Sequence, residues 1–158
     1  MLEDNNRAYQ ILRADVSDAP NILDIQKSAY LIEAERYSDY NITPLKQTLE
    51  ELLGQFKDHV VLKAVLNGKI IGTVRACEKE GTCYIGRLAV LPEMHNRGIG
   101  AALVKEIEKF FHPQRCELFV SAKSDNNIHL YQKLGYHICR KAGYECGAIE
   151  IFYMEKNG

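Results

Sequence analysis

Between Tyr84 and Phe111 the chain carries an apolar run YIGRLAV, a polar loop LPEMHNRGIG and an amphipathic run AALVKEIEKFF. A strand, a loop and a helix start in that order can bind an anion. Phosphate oxygens need several backbone N–H donors converging on one point, and the first turn of a helix has donors that no carbonyl inside the helix can take. Gly98 and Gly100 clear side chains from where a ligand would approach. Arg97 adds a positive charge, and Ala101 and Ala102 keep the first turn small. The predicted chemistry is diphosphate binding.

What is missing narrows the diphosphate. A dinucleotide fingerprint needs a third glycine three residues after Gly100, where Leu103 stands, and a P-loop needs Gly-Lys followed by Ser or Thr. The segment His95-Asn96-Arg97-Gly98-Ile99-Gly100 resembles instead the phosphate loop of the Gcn5-related N-acetyltransferase (GNAT) family. That pattern is Gln or Arg, two residues, Gly, one residue, then Gly or Ala. His95 departs from its first residue, which leaves backbone donation intact. A second segment, Ile128-x-Leu130-Tyr131-x-Lys133-x-Gly135-Tyr136, is similar to the family's C-terminal helix, in which a tyrosine precedes a Gly-aromatic pair. Many members carry Asn seven residues before that tyrosine. Ser124 stands there, and Asn127, one turn before Tyr131 on the same helix face, is the candidate for the polar contact.

The elements that must position these residues read as follows. A short strand over Tyr9 to Arg13 precedes a helix starting at Ser17-Asp18-Ala19-Pro20. EAERYSDYNITP, from Glu33, reads as a polar connector. Thr43 and Pro44 are expected as N-cap and N1 of one helix with the apolar face Leu45, Leu49, Leu52, Leu53 and Phe56. VVLKAVL and KIIGTVRACE form a hairpin across Asn67-Gly68, and Glu80-Gly81-Thr82 closes a second hairpin into the strand at Tyr84 to Val90. CELFVSA is a fifth strand, reached through a helix and so parallel to the fourth. After the Tyr131 helix and its C′ glycine, His137 to Cys139 and Ile149 to Glu155 read as an antiparallel pair.

Composition bounds the rest. The 158 residues, 46% hydrophobic and 26% charged, suit one soluble domain over 1–158. A net charge of −1 without a basic run gives no footprint for nucleic acid. The polar MLEDNNRAYQ start and the lack of a long apolar run predict a cytoplasmic protein with no membrane partner. The five cysteines have no CxxC spacing and predict free thiols, with no metal.

The resemblance implies an α/β fold whose mixed, mostly antiparallel sheet is flanked by helices and splayed between the fourth and fifth strands. It implies acetyl-coenzyme A (acetyl-CoA) as co-substrate. The pantetheine arm would lie in the splay against backbone groups of Leu88, Ala89 and Val90, and the diphosphate on the amides from Arg97 to Ala102. The implied reaction is direct acetyl transfer to a primary amine of a small molecule or peptide, with Tyr131 as general acid. Such an amine is protonated at neutral pH and needs a base, and the developing oxyanion needs a donor, for which the Val90 N–H is expected. Glu33 and Glu35 lead the candidate bases, ahead of Glu78 and Glu117. Glu35, Tyr37, Asp39 and Tyr40 are read as a wall receiving a cationic substrate. Arg87, in an apolar strand, either enters the substrate cleft or pairs with a carboxylate. A transferase for a longer acyl-CoA, and a non-catalytic acyl-CoA sensor, stay open alternatives. So does a homodimer through the C-terminal strands or the meander edge.

Overall fold

The computed structural model describes residues 8–143 and 150–157. Its strands are β1 (Gln10–Arg13), β2 (Val60–Leu66), β3 (Lys69–Lys79), β4 (Thr82–Val90), β5 (Arg115–Ser121), β6 (His137–Gly143) and β7 (Glu150–Asn157). They form one sheet in the order β1-β2-β3-β4-β5-β7-β6, antiparallel throughout except between β4 and β5. The mixed sheet and its parallel step are those expected. Both predicted turns form: Asn67 and Gly68 take φ of 50° and 76°, and Glu80 and Gly81 take 51° and 81°, the left-handed pairs a two-residue hairpin requires. The closing pair is longer than the sequence suggested, while Ile149 and Cys146 lie outside the described residues.

The splay has a local cause. Thr73 pairs with Ala89 and Arg75 with Gly86, so Val74 alone on β3 faces both Arg87 and Leu88 on β4. This bulge, with Arg87 at φ 54°, bends the strand and increases its twist. Accordingly β4 pairs with β5 only through Thr82, Cys83 and Tyr84. From Ile85 onward the two strands separate.

Helices cover both faces. Val61 and Leu62, adjacent on β2, enter different cores. On one side α1 (Ala19–Tyr37), α2 (Thr43–Lys46) and α3 (Leu49–Gln55) bury Ile22, Ile25 and Leu52. On the other, α4 (Ile99–Glu108) and α5 (Asp125–Lys133) pack Leu103, Ile107 and Tyr131 around Val74 and Met154. No helix among the described residues is long and apolar enough to cross a membrane.

Two expectations are corrected. The first helix does not stop before Glu33: α1 runs to Tyr37 and ends on left-handed Ser38. Ala34 and Tyr37 continue its apolar stripe and form a small core with Ile42, a periodicity hidden by the charges between them. The helix expected from Thr43 to Phe56 is broken in two. Gln47 is extended, and Thr48 caps α3 in a reciprocal capping box with Glu51. The break lets Gln47 turn inward, where its amide meets Gln26, Gln55 and Arg75. Thr48→Ala removes the box and is expected to cost about 1 kcal/mol in urea unfolding; an unchanged midpoint would show that the buried Gln47 amide alone sets the break.

Candidate functional site

The loop after β4 ends at Gly98, whose φ of 78° makes it a left-handed N-cap of α4 with no side chain capping it. The Ala102 N–H is spent inside the helix, on the Gly98 carbonyl at 3.0 Å. The amides of Ile99, Gly100 and Ala101 precede it and have no intrahelical partner. They border a cleft of about 320 Å³ that runs between the end of β4 and the start of α5. Of the predicted cofactor residues, Leu88, Ala89, Val90, His95, Asn96, Gly98, Ile99, Gly100, Ala101 and Asn127 line this cleft. Three lie outside it: Arg97 is exposed beyond the lining, Ala102 is buried with its N–H already bonded, and Tyr131 is buried away from this lining.

The open edge of β4 forms one wall. Leu91 donates its N–H to Ile71 on β3 at 2.9 Å. The strand period of two therefore turns the backbone groups of Ala89 toward β3 and those of Leu88 and Val90 toward the splay. The side chains agree, since those of Leu88 and Val90 lie on the α4 side and Ala89 belongs to the opposite core. His95 reaches back along this edge, its Nε2–H donating to the Val90 carbonyl at 3.0 Å. The imidazole thus serves the strand rather than the loop amides. A Cβ added at Gly98 would meet nothing within 4 Å, and one at Gly100 would stand 3.6 Å from both Leu88 and Leu130, in the mouth of the cleft. Free strand amides leading to bare helix amides suit a linear, amide-bearing arm with an anionic end.

A second cleft, of about 300 Å³, opens on the far side of Leu88. It shares Tyr30, Glu33, Leu88 and Asn127 with the first. At this waist Glu33, from the last turns of α1, meets the start of α5. Its Oε1 accepts from Asn127 Nδ2 at 2.8 Å and from Ser124 Oγ at 3.3 Å. Burial pushes the Glu33 carboxyl above its ordinary range, and Ser124, Arg36 and Asn127 offset part of that shift. Its neighbour Glu35 is exposed and lines neither cleft, because two residues along a helix turn a side chain through roughly 200°. Glu78 is likewise exposed outside both. Glu117 lines the second cleft but is held by Arg115 at 2.7 Å.

Tyr131 lines the second cleft from α5, buried edge-on to Tyr136 with ring centroids 6.1 Å apart. Burial raises its phenol above the ordinary range, with Tyr30 and Glu33 adding to the shift. Tyr136 donates to Glu108 at 2.6 Å, tying the end of α5 to α4. The expected cationic-substrate wall does not form: Glu35, Asp39 and Tyr40 stay outside both clefts, and Tyr37 alone reaches the second. Arg87 enters the second cleft and pairs with no carboxylate among the described residues. Arg75 was missed in the sequence, although a lone cation in the apolar run IIGTVRA was the signal that could have found it.

Comparison with known proteins finds relatives of this sequence and fold. The profile described as "Acetyltransferase (GNAT) family" matches residues 20–136. The chain is similar to an uncharacterized N-acetyltransferase of Bacillus subtilis, YjcF, at 24% identity over 132 residues, 83% of this chain and 91% of the relative. It is similar in fold to the PaiA N-acetyltransferase of Thermoplasma acidophilum, solved in complex with coenzyme A (TM-score 0.81, 20% identity, 95% of this chain and 99% of that one). The ribosomal-protein-S18-alanine N-acetyltransferase of Escherichia coli is another such structure (TM-score 0.75, 19% identity, 94% and 93%).

The raised Glu33 carboxyl sets a sign for stability. The native protein holds this proton more tightly than the unfolded chain, so stability falls as pH rises from the ordinary glutamate value through the raised one. Glu33→Gln keeps an acceptor for Asn127 and Ser124 and removes that loss. It should melt higher than wild type at neutral pH, with the difference gone below about pH 4; equal melting at both would mean that Glu33 is not destabilised by burial.

Proposed function

Because the chain belongs to the Acetyltransferase (GNAT) family, we propose that it transfers the acetyl group of acetyl-CoA to a primary amine, with one cleft for each substrate. The observation that carries this reading is the waist where the two clefts share Glu33 and Leu88. Acetyl-CoA supplies an activated thioester. The Leu88 and Val90 backbone would hold its arm, and the amides of Ile99, Gly100 and Ala101 its diphosphate, with Arg97 adding charge at the rim.

Glu33 is the base of this reading. A carboxylate with a raised pKa takes a proton from an ammonium better than an ordinary one does, and Asn127 and Ser124 fix its orientation. The Leu88 N–H, at the waist, is better placed than that of Val90 to face charge developing on the carbonyl oxygen. Tyr131 keeps its proton, because its phenol titrates above the ordinary range. A thiolate of pKa about 8.5 does not remove that proton outright, so Tyr131 acts by donating a hydrogen bond to the leaving sulfur. The reading takes residues 1–158 as one domain working in the cytoplasm.

Thiol release from acetyl-CoA across a panel of amines tests it. Glu33→Gln should lower kcat by about 100-fold, and Tyr131→Phe by less, at unchanged coenzyme A affinity. Gly100→Val, which fills the mouth between Leu88 and Leu130, should weaken coenzyme A binding by at least about tenfold in calorimetry. Coenzyme A binding with no thiol release from any amine would replace the transferase by a sensor.

A further inference from the structure

The second cleft holds a charge that the acetyl-transfer reading leaves unused. Arg75, on β3, is 3% exposed and lines this cleft. Its guanidinium donates to two neutral amides, Gln26 Oε1 at 3.0 Å and Gln47 Oε1 at 2.8 Å. Among the described residues it has no carboxylate partner. Burying a cation without a counter-charge is costly, and proteins normally avoid it. Burial and the charge of Arg87 bring the Arg75 pKa down to about 9, still above neutrality, so the group stays cationic.

Arg87 compounds the excess. It stands on the β4 bulge at φ 54° and opens on the same cleft. Glu51 on α3 feels its charge, but that carboxylate is engaged by the Thr48 N–H in the capping box. Gly86 lies between the two cations, as the register partner of Arg75 and the chain neighbour of Arg87. A Cβ there would meet nothing within 4 Å, so the space above it is open. Tyr37 adds a donor: its buried hydroxyl, on the same cleft near Ser121 and Ser124, makes no hydrogen bond among the described residues.

We propose that the acceptor is a small amine that also carries an anionic group, a carboxylate, seated above Gly86 against Arg75 and Arg87 while its amino group points to Glu33. The inference deepens the acetyl-transfer reading and rests on it. A carboxylate there gains charge-assisted hydrogen bonds and relieves the repulsion between the guanidiniums. A polyamine is disfavoured, since its second ammonium would face both arginines.

The test titrates the full chain, with and without coenzyme A, with glycine, β-alanine and γ-aminobutyrate and with the carboxamide of each. At least one carboxylate should bind about tenfold or more tighter than its amide, the scale of a charge-assisted pair. That ratio should fall toward one in Arg87→Gln and be kept in part by Arg87→Lys. Arg75→Gln should act alike, but because it opens a buried network the conclusion rests on the Arg87 variants. Amides that bind as well as carboxylates, no binding by any carboxylate, or a ratio indifferent to Arg87→Gln would each overturn the proposal. Thiol release from neutral amines would then leave the transferase reading intact. Carboxylate binding with no thiol release from any amine would remove the transferase and keep the anion site.

Discussion

Three residue pairs join β4 to β5, and both clefts depend on the pairing stopping there. Unpaired strand groups are an expense that a folded chain normally avoids, each bond being worth roughly 1 kcal/mol net and more if a buried group is left bare. Here the bulge at Arg87 and Leu88 enforces the gap, turning β4 away while the β5–β7 ladder holds β5 in place over its whole length. The exposed edge then has donors and acceptors at fixed spacing for a ligand that can act as a strand. The Val90 carbonyl meanwhile has the His95 imidazole as a partner, so this part of the edge is not left bare.

The second dependence is lateral. α1 approaches α5 through Glu33, and the contact is polar: one carboxylate oxygen receives both Asn127 and Ser124. An apolar pair at this position would pack the helices as well but could not take up or release a proton. Beneath, the amides of Gln26 and Gln47 hold Arg75 from α1 and from the break between α2 and α3. The helix break and the buried cation thus belong to one network. Polar groups in such a core are tolerated because each meets a partner of suitable geometry.

Where the sequence was legible, a local rule sufficed. Asn67-Gly68 and Glu80-Gly81 needed only left-handed φ, and the start of α4 needed only Gly98 and its free amides. The mixed sheet followed from two hairpins and one helical crossover, and the GNAT resemblance rested on two short segments in the right order. What the sequence hid depended on distant partners. Glu33 was placed in a loop because charges interrupt the stripe that Ala34 and Tyr37 continue. The helix break at Gln47 answers to Gln26 and Arg75, which are remote in the chain. Ala102 looked like a ligand amide until the register of the first helical bond was known. Arg75 looked like one more strand residue, since nothing local says that its partners are neutral.

The narrow waist between the clefts also bears on how such a protein can change over generations. The second cleft is lined by α1, the α2–α3 region, β4 from Tyr84 to Leu88, and β5, while the first continues into the next loop and α4. The two linings overlap only at Tyr30, Glu33, Leu88 and Asn127. Substitutions at positions such as Gly86, Arg87 or Gln55 can therefore redraw one lining while leaving the other as inherited. A lineage built on this plan can reshape the second cleft by drift on one side of Leu88 while the first stays as it was on the other.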